Sequence, residues 1–420
     1  MSKLEPTNEA SAMQKEISAI AEQGGGTTKV EQLIQQYCPD GVEYKALGKA
    51  CLMERGTSAT KGTMRSGEIP VISGGRQPAF YCNQSNRTGE TITVAGSGAG
   101  AGYVQYWNEP IFVCDAFSIK GNDGLMTKYA YYYLTSIQER IYSTKKGGGV
   151  PHVHISSIDK FEIPVPPLPV QEEIVRILDN FAELQAELQA ELQKRIQQYE
   201  YYRDKLLSFR DLSNWGGQEV SVEWKKLGDV VSISRGASPR PIQNYLTDEE
   251  DGIPWIKIGD VSTNSKYITS TAERITREGA NKSRFLKKGT FILSNSMSFG
   301  RPYILGIDGC IHDGWISICD FEASLNSDFL YYLLRSSNVQ GYWISKANSG
   351  GAVANLNSDI VRSTPIPVPP LAEQQRIVDI LDRFNTLTTD LTAGLPAEIE
   401  ARRKQYEYYR DQLLTFKQKA

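Results

Sequence analysis

From Ile174 onward the apolar residues recur three and four apart, at Ile174, Ile177, Phe181, Leu184 and Leu188. That spacing is the seam of an amphipathic helix that packs on a second helix. The same stretch holds AELQAELQAELQ, Ala182–Gln193, one tetrad written three times. Four residues do not fit evenly into turns of 3.6, so Leu192, Ile196 and Tyr199 continue the seam one residue out of phase. Such an insertion is a stutter, which locally unwinds a supercoil. The preceding IPVPP cannot be helical, so it delivers the chain to a helix start near Gln171. A second seam runs through Ile377, Ile380, Phe384, Leu387 and Leu391. Gly394 and Pro396 interrupt it, with Pro396 suited to restart a helix, and Ile399, Tyr406, Tyr409 and Leu413 carry on. Two seams predict two long helices paired with each other; the alternative is two amphipathic helices, each packed on its own domain.

Between the seams the pattern shortens. The runs Thr91–Val94, Ile111–Val113, Phe291–Leu293 and Trp315–Ile318 are strand-like and broken by Gly, Pro, Asn and Ser. Helical spacing returns around Lys128–Tyr142 and Ser327–Trp343, and near the start of the chain over 8–22 (Asn8, Met13, Ile17, Ile20), before GGGTT and Val30–Tyr37. Each variable block is therefore expected to be a twisted sheet with flanking helices.

The chain is also written twice. IPVPPLPVQEEIVRILDNF (Ile163–Phe181) returns as IPVPPLAEQQRIVDILDRF (Ile366–Phe384), and QYEYYRDKLLSF (Gln198–Phe209) as QYEYYRDQLLTF (Gln405–Phe416). YKALG from Tyr44 faces WKKLG from Trp224, and Arg55-Gly56 and Arg235-Gly236 each sit eight residues past a leucine, Leu47 and Leu227. Between these landmarks the copies diverge. A constant frame with two different inserts predicts one architecture that reads two different things. The expected boundaries are a helical extension over 1–43, a variable block over 44–165, a constant helix over 166–211, a linker over 212–223, a second block over 224–368 and a second constant helical stretch over 369–420.

Composition changes this picture little. The 420 residues are 40% hydrophobic and 23% charged, as in ordinary globular proteins. No signal pattern or long apolar run argues for secretion or a membrane, so a cytoplasmic protein is expected. The six cysteines lack zinc spacing and are expected to be free thiols. The net charge of −3 hides a modulation. Residues 44–162 carry 13 basic and 9 acidic side chains and 224–365 carry 16 and 14, whereas 171–211 carry 6 and 9.

The strongest candidate for chemistry is GSGAGAG, Gly96–Gly102, where Gly96, Gly98 and Ala101 fit a loose cofactor fingerprint. That fingerprint needs a helix after it, and Tyr103, Val104, Tyr106, Trp107 and Pro110 read as strand and loop. A tight hairpin, or a loop whose amides approach phosphates, remains. There is no GxxxxGK[ST] motif and no NPPY- or DPPY-like tetrapeptide. His152 and His154 lack evident further metal ligands, and no catalytic or metal site is expected.

The duplicated blocks, the IPVPPL…Q…IV.ILD.F and YEYYRD.LL.F copies, the tetrads and YCPDGVEYKALG (Tyr37–Gly48) resemble the specificity subunit of type I restriction–modification systems, over residues 30–420. The resemblance implies an α+β fold: two mixed α/β target-recognition domains joined by two long antiparallel coiled-coil helices in a pseudo-two-fold repeat. It implies a non-catalytic subunit that binds double-stranded DNA, each domain reading one half of a split asymmetric target. It further implies docking of two modification subunits, which carry S-adenosylmethionine and methylate adenine N6. Restriction subunits that use ATP and Mg2+ join through them; this chain is expected to bind no cofactor itself. A helix over 171–209 would span about 58 Å, or about 17 base pairs, so the tetrads would be units of a ruler.

Side chains that read base edges or hold phosphates point to the contacts. In the first block these are Lys61, Arg65, Arg76, Gln77, Arg87, Lys145 and Lys146. In the second they are Arg235, Ser238, Arg240, Lys257, Asn295, Ser296, Arg301, Asn348, Asn355 and Asn357. Helix pairing or subunit docking is assigned to Ile174, Phe181, Leu188, Tyr199, Tyr202, Ile377, Phe384, Tyr406 and Tyr409. The tyrosine-rich ends, including Tyr201 and Tyr408, are expected to pack or dock rather than stack on bases, because they scarcely differ between copies. A coiled-coil scaffold without DNA, or a self-contained methyltransferase or nuclease, are the rival classes.

Overall fold

The computed structural model describes residues 28–147, 149–209, 222–261, 265–295, 299–347, 355–389 and 394–419, with the side chains of 386–389 left aside. The helix expected over 8–22, Ser296, Asn348, Leu391 and most of the 212–223 linker lie outside the described residues, as does the side chain of Leu387.

The chain divides into two units, one made of residues 1–189 and 399–420, the other of 190–398. Each unit combines one variable block with parts of both constant stretches. The boundary at Gln189 falls inside the tetrad run.

The first unit opens with helix α1 (Lys29–Tyr37), capped by Thr28 and Glu31 in a reciprocal box. Val30 is buried in the unit's main core and Lys29 pairs with the buried Glu173 at 2.7 Å, so α1 belongs to this core and not to a separate extension. Strands β1 (Glu43–Ala46) and β9 (Glu162–Val165) pair antiparallel, and between them lie α2 (Leu47–Ala50), β2 (Cys51–Arg55), β3 (Ile69–Ile72), β4 (Phe80–Cys82), β5 (Thr91–Ala95), β6 (Val104–Trp107), β7 (Phe112–Val113) and β8 (Ala116–Gly121). The main sheet has order β2-β8-β5-β6, all antiparallel. A smaller sheet has order β4-β3-β7, with β3 and β7 parallel. Helices α3 (Thr127–Ser136), α4 (Gln138–Tyr142) and α5 (Ile155–Ile158) come next. The single helix expected around Lys128–Tyr142 is thus broken at Ile137. Then comes α6 (Leu168–Ser208), 41 residues long and within three residues of its expected limits.

The second unit repeats this order with another sequence. Strands β10 (Glu223–Lys226) and β21 (Pro365–Val368) pair as β1 and β9 do, with Lys225 opposite Ile366 where Lys45 is opposite Ile163. The strands between are β11 (Ser232–Arg235), β12 (Leu246–Thr247), β13 (Ile253–Ile256), β14 (Tyr267–Ile268), β15 (Glu273–Ile275), β16 (Arg284–Leu286), β17 (Phe291–Ser294), β18 (Pro302–Leu305), β19 (Gly309–Ile311) and β20 (Trp315–Cys319). Order β11-β20-β17 followed by β18 repeats β2-β8-β5-β6, with β14 added at the edge. Order β15-β13-β19 repeats β4-β3-β7, the last pair again parallel. Helices are α7 (Arg277–Asn281), α8 (Ser327–Leu334), α9 (Ser337–Ala347) and α10 (Ser358–Arg362), and the break between α8 and α9 matches that between α3 and α4. The constant stretch is two helices, α11 (Leu371–Thr389) and α12 (Leu395–Leu413), separated where Gly394 and Pro396 predict.

The copied landmarks have local causes. Leu47 and Leu227 are wholly buried, and their amides donate to Phe161 O and Thr364 O at 2.8 Å. A β-carbon on Gly56 would sit 2.1 Å from Cys114 O, and one on Gly236 2.0 Å from His312 O. Only glycine lets those strands run so close to the turn ahead of β8 and β20.

All six cysteines are free thiols, four buried and two partly so. Among the described residues no helix is long and apolar enough to cross a membrane.

Candidate nucleic-acid interface

In the first unit three loops converge at one end of the sheets. Gly98 N donates to Pro151 O at 3.0 Å, Val153 N to Gly96 O at 3.0 Å, and Lys146 and His152 exchange backbone bonds at 2.8 and 3.0 Å. Gly74 approaches Ser97 so closely that a β-carbon would lie 2.2 Å from its carbonyl. The Gly96–Gly102 segment is therefore the turn of the β5–β6 hairpin, braced by two neighbouring loops, and it leads into strand β6 rather than a helix. Ser97 donates to the Asp115 carboxylate from within it.

This cluster gathers Arg76, Gln77, Lys145 and Lys146. Arg76 and Gln77 are exposed; the Arg76 guanidinium lies 5.0 Å from the Tyr103 ring and its carbonyl accepts from Gln105 Nε2 at 2.9 Å. Lys145 sits 4.1 Å over the Tyr142 ring and Lys146 is exposed. His152 and His154, which the sequence left to surface hydrogen bonding, stack at 6.0 Å in the same loop. Lys61 and Arg65 are exposed on the excursion between β2 and β3. Arg87 requires correction. Its guanidinium donates to Ser118 Oγ at 2.7 Å, Asn86 O at 2.7 Å and Arg55 O at 3.0 Å and faces Glu54 at 3.3 Å, so it braces the sheet instead of facing outward.

In the second unit four of the expected residues meet at one residue the sequence did not single out. Asp313, in the turn before β20, accepts from Ser238 Oγ at 2.9 Å and Arg240 at 3.1 Å. Its carbonyl accepts from Arg235 Nε at 3.0 Å and Asn295 Nδ2 at 3.2 Å. The Ser238 hydroxyl and the Arg240 guanidinium hold its carboxyl below the usual carboxylate range. His312 beside it packs between Trp255 and Trp315, and burial lowers its pKa. Its Nδ1 accepts from Gly314 N at 2.7 Å, a bond only the neutral ring can make. The HD pair was visible in HDGWISI; no spacing rule marks it as a hub, because Arg235, Ser238 and Arg240 lie 73–78 residues away in sequence and Asn295 lies 18 away.

The remaining candidates divide. Arg235 and Arg240 are exposed; Asn295 is only 6% exposed and supports the Asp313 turn from below. Lys257 pairs with Glu273 at 2.5 Å. Arg301 lines a cavity of about 300 Å³ with Phe299, Pro302, Arg335 and Gln340. Asn355 is exposed. Asn357 is exposed and its Oδ1 caps α10, accepting from Asp359 N at 3.0 Å and Ile360 N at 2.9 Å.

The constant segments are also resolved residue by residue. Ile174 and Ile377 are wholly buried in the cores of their own units and cannot meet a docking subunit. Phe181 stacks on Tyr409 at 5.8 Å in the first unit, with Tyr406 at 6.3 Å, and Phe384 stacks on Tyr202 at 5.9 Å in the second. Tyr199 is buried and Leu188 half-buried. Tyr201 and Tyr408, at equivalent positions, are 60% and 61% exposed. Among the described residues no three His, Cys, Asp or Glu side chains converge as a metal site.

A duplicated scaffold that presents two different polar loop faces is the class of protein these features define. The family model for the type I restriction modification DNA specificity domain matches twice, at residues 39–198 and 219–401. A type I restriction enzyme EcoR124I/EcoR124II specificity subunit of Escherichia coli is 37% identical over 314 residues, 69% of this chain and 71% of its own. A putative type I restriction enzyme specificity subunit of Haemophilus influenzae is 32% identical over 400 residues, 89% and 96% of the two chains. A solved chain of a type I R-M system shares the fold at a TM-score of 0.59 and 18% identity, covering 89% of this chain and 97% of that one. The chain belongs to the DNA specificity family of type I restriction–modification systems. As a member it is the sequence-recognition component of such a complex and not its catalyst.

Proposed function

We propose that each variable block reads one half of a split, asymmetric DNA target, and that the constant helices hold the halves at a fixed gap. One observation carries this: the two units share strand order and helix breaks, yet present different loop faces, Arg76–Gln77 with Lys145–Lys146 in one and the Asp313 cluster in the other. Reciprocal stacking of Phe181 on Tyr409 and of Tyr202 on Phe384 supports an antiparallel helix pair with pseudo-two-fold symmetry. Each half of α6 then meets the opposite end of the second constant stretch. The sequence blocks 44–165 and 224–368 are the two target-recognition domains.

Two modification subunits dock on the constant helices, where Tyr201 and Tyr408 offer two equal exposed rings. Restriction subunits join through them. S-adenosylmethionine, ATP and Mg2+ belong to those partners, and the assembly works in the cytoplasm. The test is reconstitution with the modification subunits and sequencing of methylated sites. Methylation at a two-part target with a constant gap is expected. A single contiguous site, or DNA affinity indifferent to salt, overturns the proposal, since neutralised phosphates release counterions.

A further inference from the structure

Within each unit the constant helix is tied to its variable block at two polar points. The first is a wholly buried glutamine. Gln171 accepts from Met126 N at 2.9 Å and donates to Gly124 O and Pro166 O, both at 2.7 Å. Gln374 accepts from Asn326 N at 2.7 Å and donates to Ser324 O and Pro369 O, both at 2.8 Å. One amide thus grips the start of α3 or α8 and the end of the proline run together. The second point is a carboxylate eight residues further along, about 12 Å of helix. Asp179 accepts from Tyr132 and, at 2.8 Å, from Lys128 Nζ on the same helix, and Asp382 accepts from Tyr332.

Both points fall on the same block helix, α3 in one unit and α8 in the other. Its sequence differs between copies, TKYAYYYL against SDFLYYLL, but its sixth residue is tyrosine in both. Apolar packing around the anchors is non-directional and tolerates small rotations. Hydrogen bonds weaken steeply off their axis, and a buried amide left unpaired is costly. One anchor would leave a pivot; two anchors two turns apart fix the angle as well.

We propose that Gln171 with Tyr132–Asp179, and Gln374 with Tyr332–Asp382, are positioning residues that set how strictly the gap between half-sites is kept. They make each block follow its helix as one body, so that helix length is expressed as spacer length on DNA. This rests on the two-half-site function above.

The test uses the chain assembled with its modification subunits and a library of targets whose gaps differ by single base pairs. Tyr132→Phe and Lys128→Met with Tyr332→Phe remove these donors to Asp179 and Asp382 and keep the core filled; Gln171→Ala with Gln374→Ala removes the other anchor. Half-sites stay the same, while methylation at gaps one base pair off, relative to the correct gap, rises roughly fivefold for each lost hydrogen bond. A gap as strict as wild type at undiminished methylation overturns the clamp. So does a fall in methylation that is equal at every gap, which marks the anchors as supports for folding alone. Because the tyrosine variant keeps the core filled, it decides the question even where the glutamine variant does not fold. A wild-type complex that methylates no split target removes the proposed function itself, an outcome distinct from either.

Discussion

Asp313 is an acid on a face that the proposal turns toward a polyanion, and its surroundings explain it. The carboxylate and carbonyl collect Arg235, Ser238, Arg240 and Asn295, so its charge orients donors more than it meets phosphate. Asp313→Ala is expected to cut discrimination at the second half-site by about tenfold, because charge-assisted bonds fix those donors. Non-specific affinity should rise slightly with the loss of a negative charge. Competition binding with DNA altered at one half-site or the other measures both. His312 adds a pH dependence. Burial lowers its folded pKa below the ordinary 6.5, so the fold favours the neutral ring. Its contribution is full above about pH 6.5 and is lost as pH falls through the folded value. Thermal unfolding of the second unit should therefore show a midpoint that declines on acidification below about pH 6.5, and His312→Gln should flatten that decline.

The copied elements differ in what repetition preserves. In α6 the tetrads add length in steps that turn the helix by more than a full circle, so each added block shifts both distance and angle. Deleting Ala186–Gln189 should shorten the helix by about 6 Å and rotate the residues beyond the deletion by roughly 40°. The methylated gap is expected to shrink by one or two base pairs with both half-sites unchanged, read by methylation sequencing. Altered half-sites with an unaltered gap would refute a ruler. The heptad seam was legible as a helix with near-correct limits, but which of its residues face the paired helix and which face a block's core was not. Ile174 and Phe181 both lie on the seam, yet Ile174 faces its own block's core and Phe181 faces Tyr409, because sheet and helix compete for one apolar stripe. The helix breaks at Ile137 and before Ser337 were missed for a related reason: apolar spacing ran on across them while tertiary packing redirected the chain.

At the scale of the molecule, the proposed function gives recognition to the variable blocks and spacing to the constant helices, which makes them separable. Replacing the 224–365 block with that of another family member should change one half-site and leave the other half-site and the gap intact, as seen in the pattern of methylated sequences. The sequence by itself determined the duplication, the helical constant stretches, the strand-rich blocks and the type of side chain available for contact, since these depend on local spacing and on direct comparison of one half with the other. Tertiary structure alone decided which contacts were free. Arg87 looked like a reader and braces the sheet, Asn357 takes on a helix cap, and Asp313, Gln171 and Gln374 became hubs. A side chain's role depends on which donors and acceptors surround it, and those come from residues tens of positions away that only folding brings within hydrogen-bond reach.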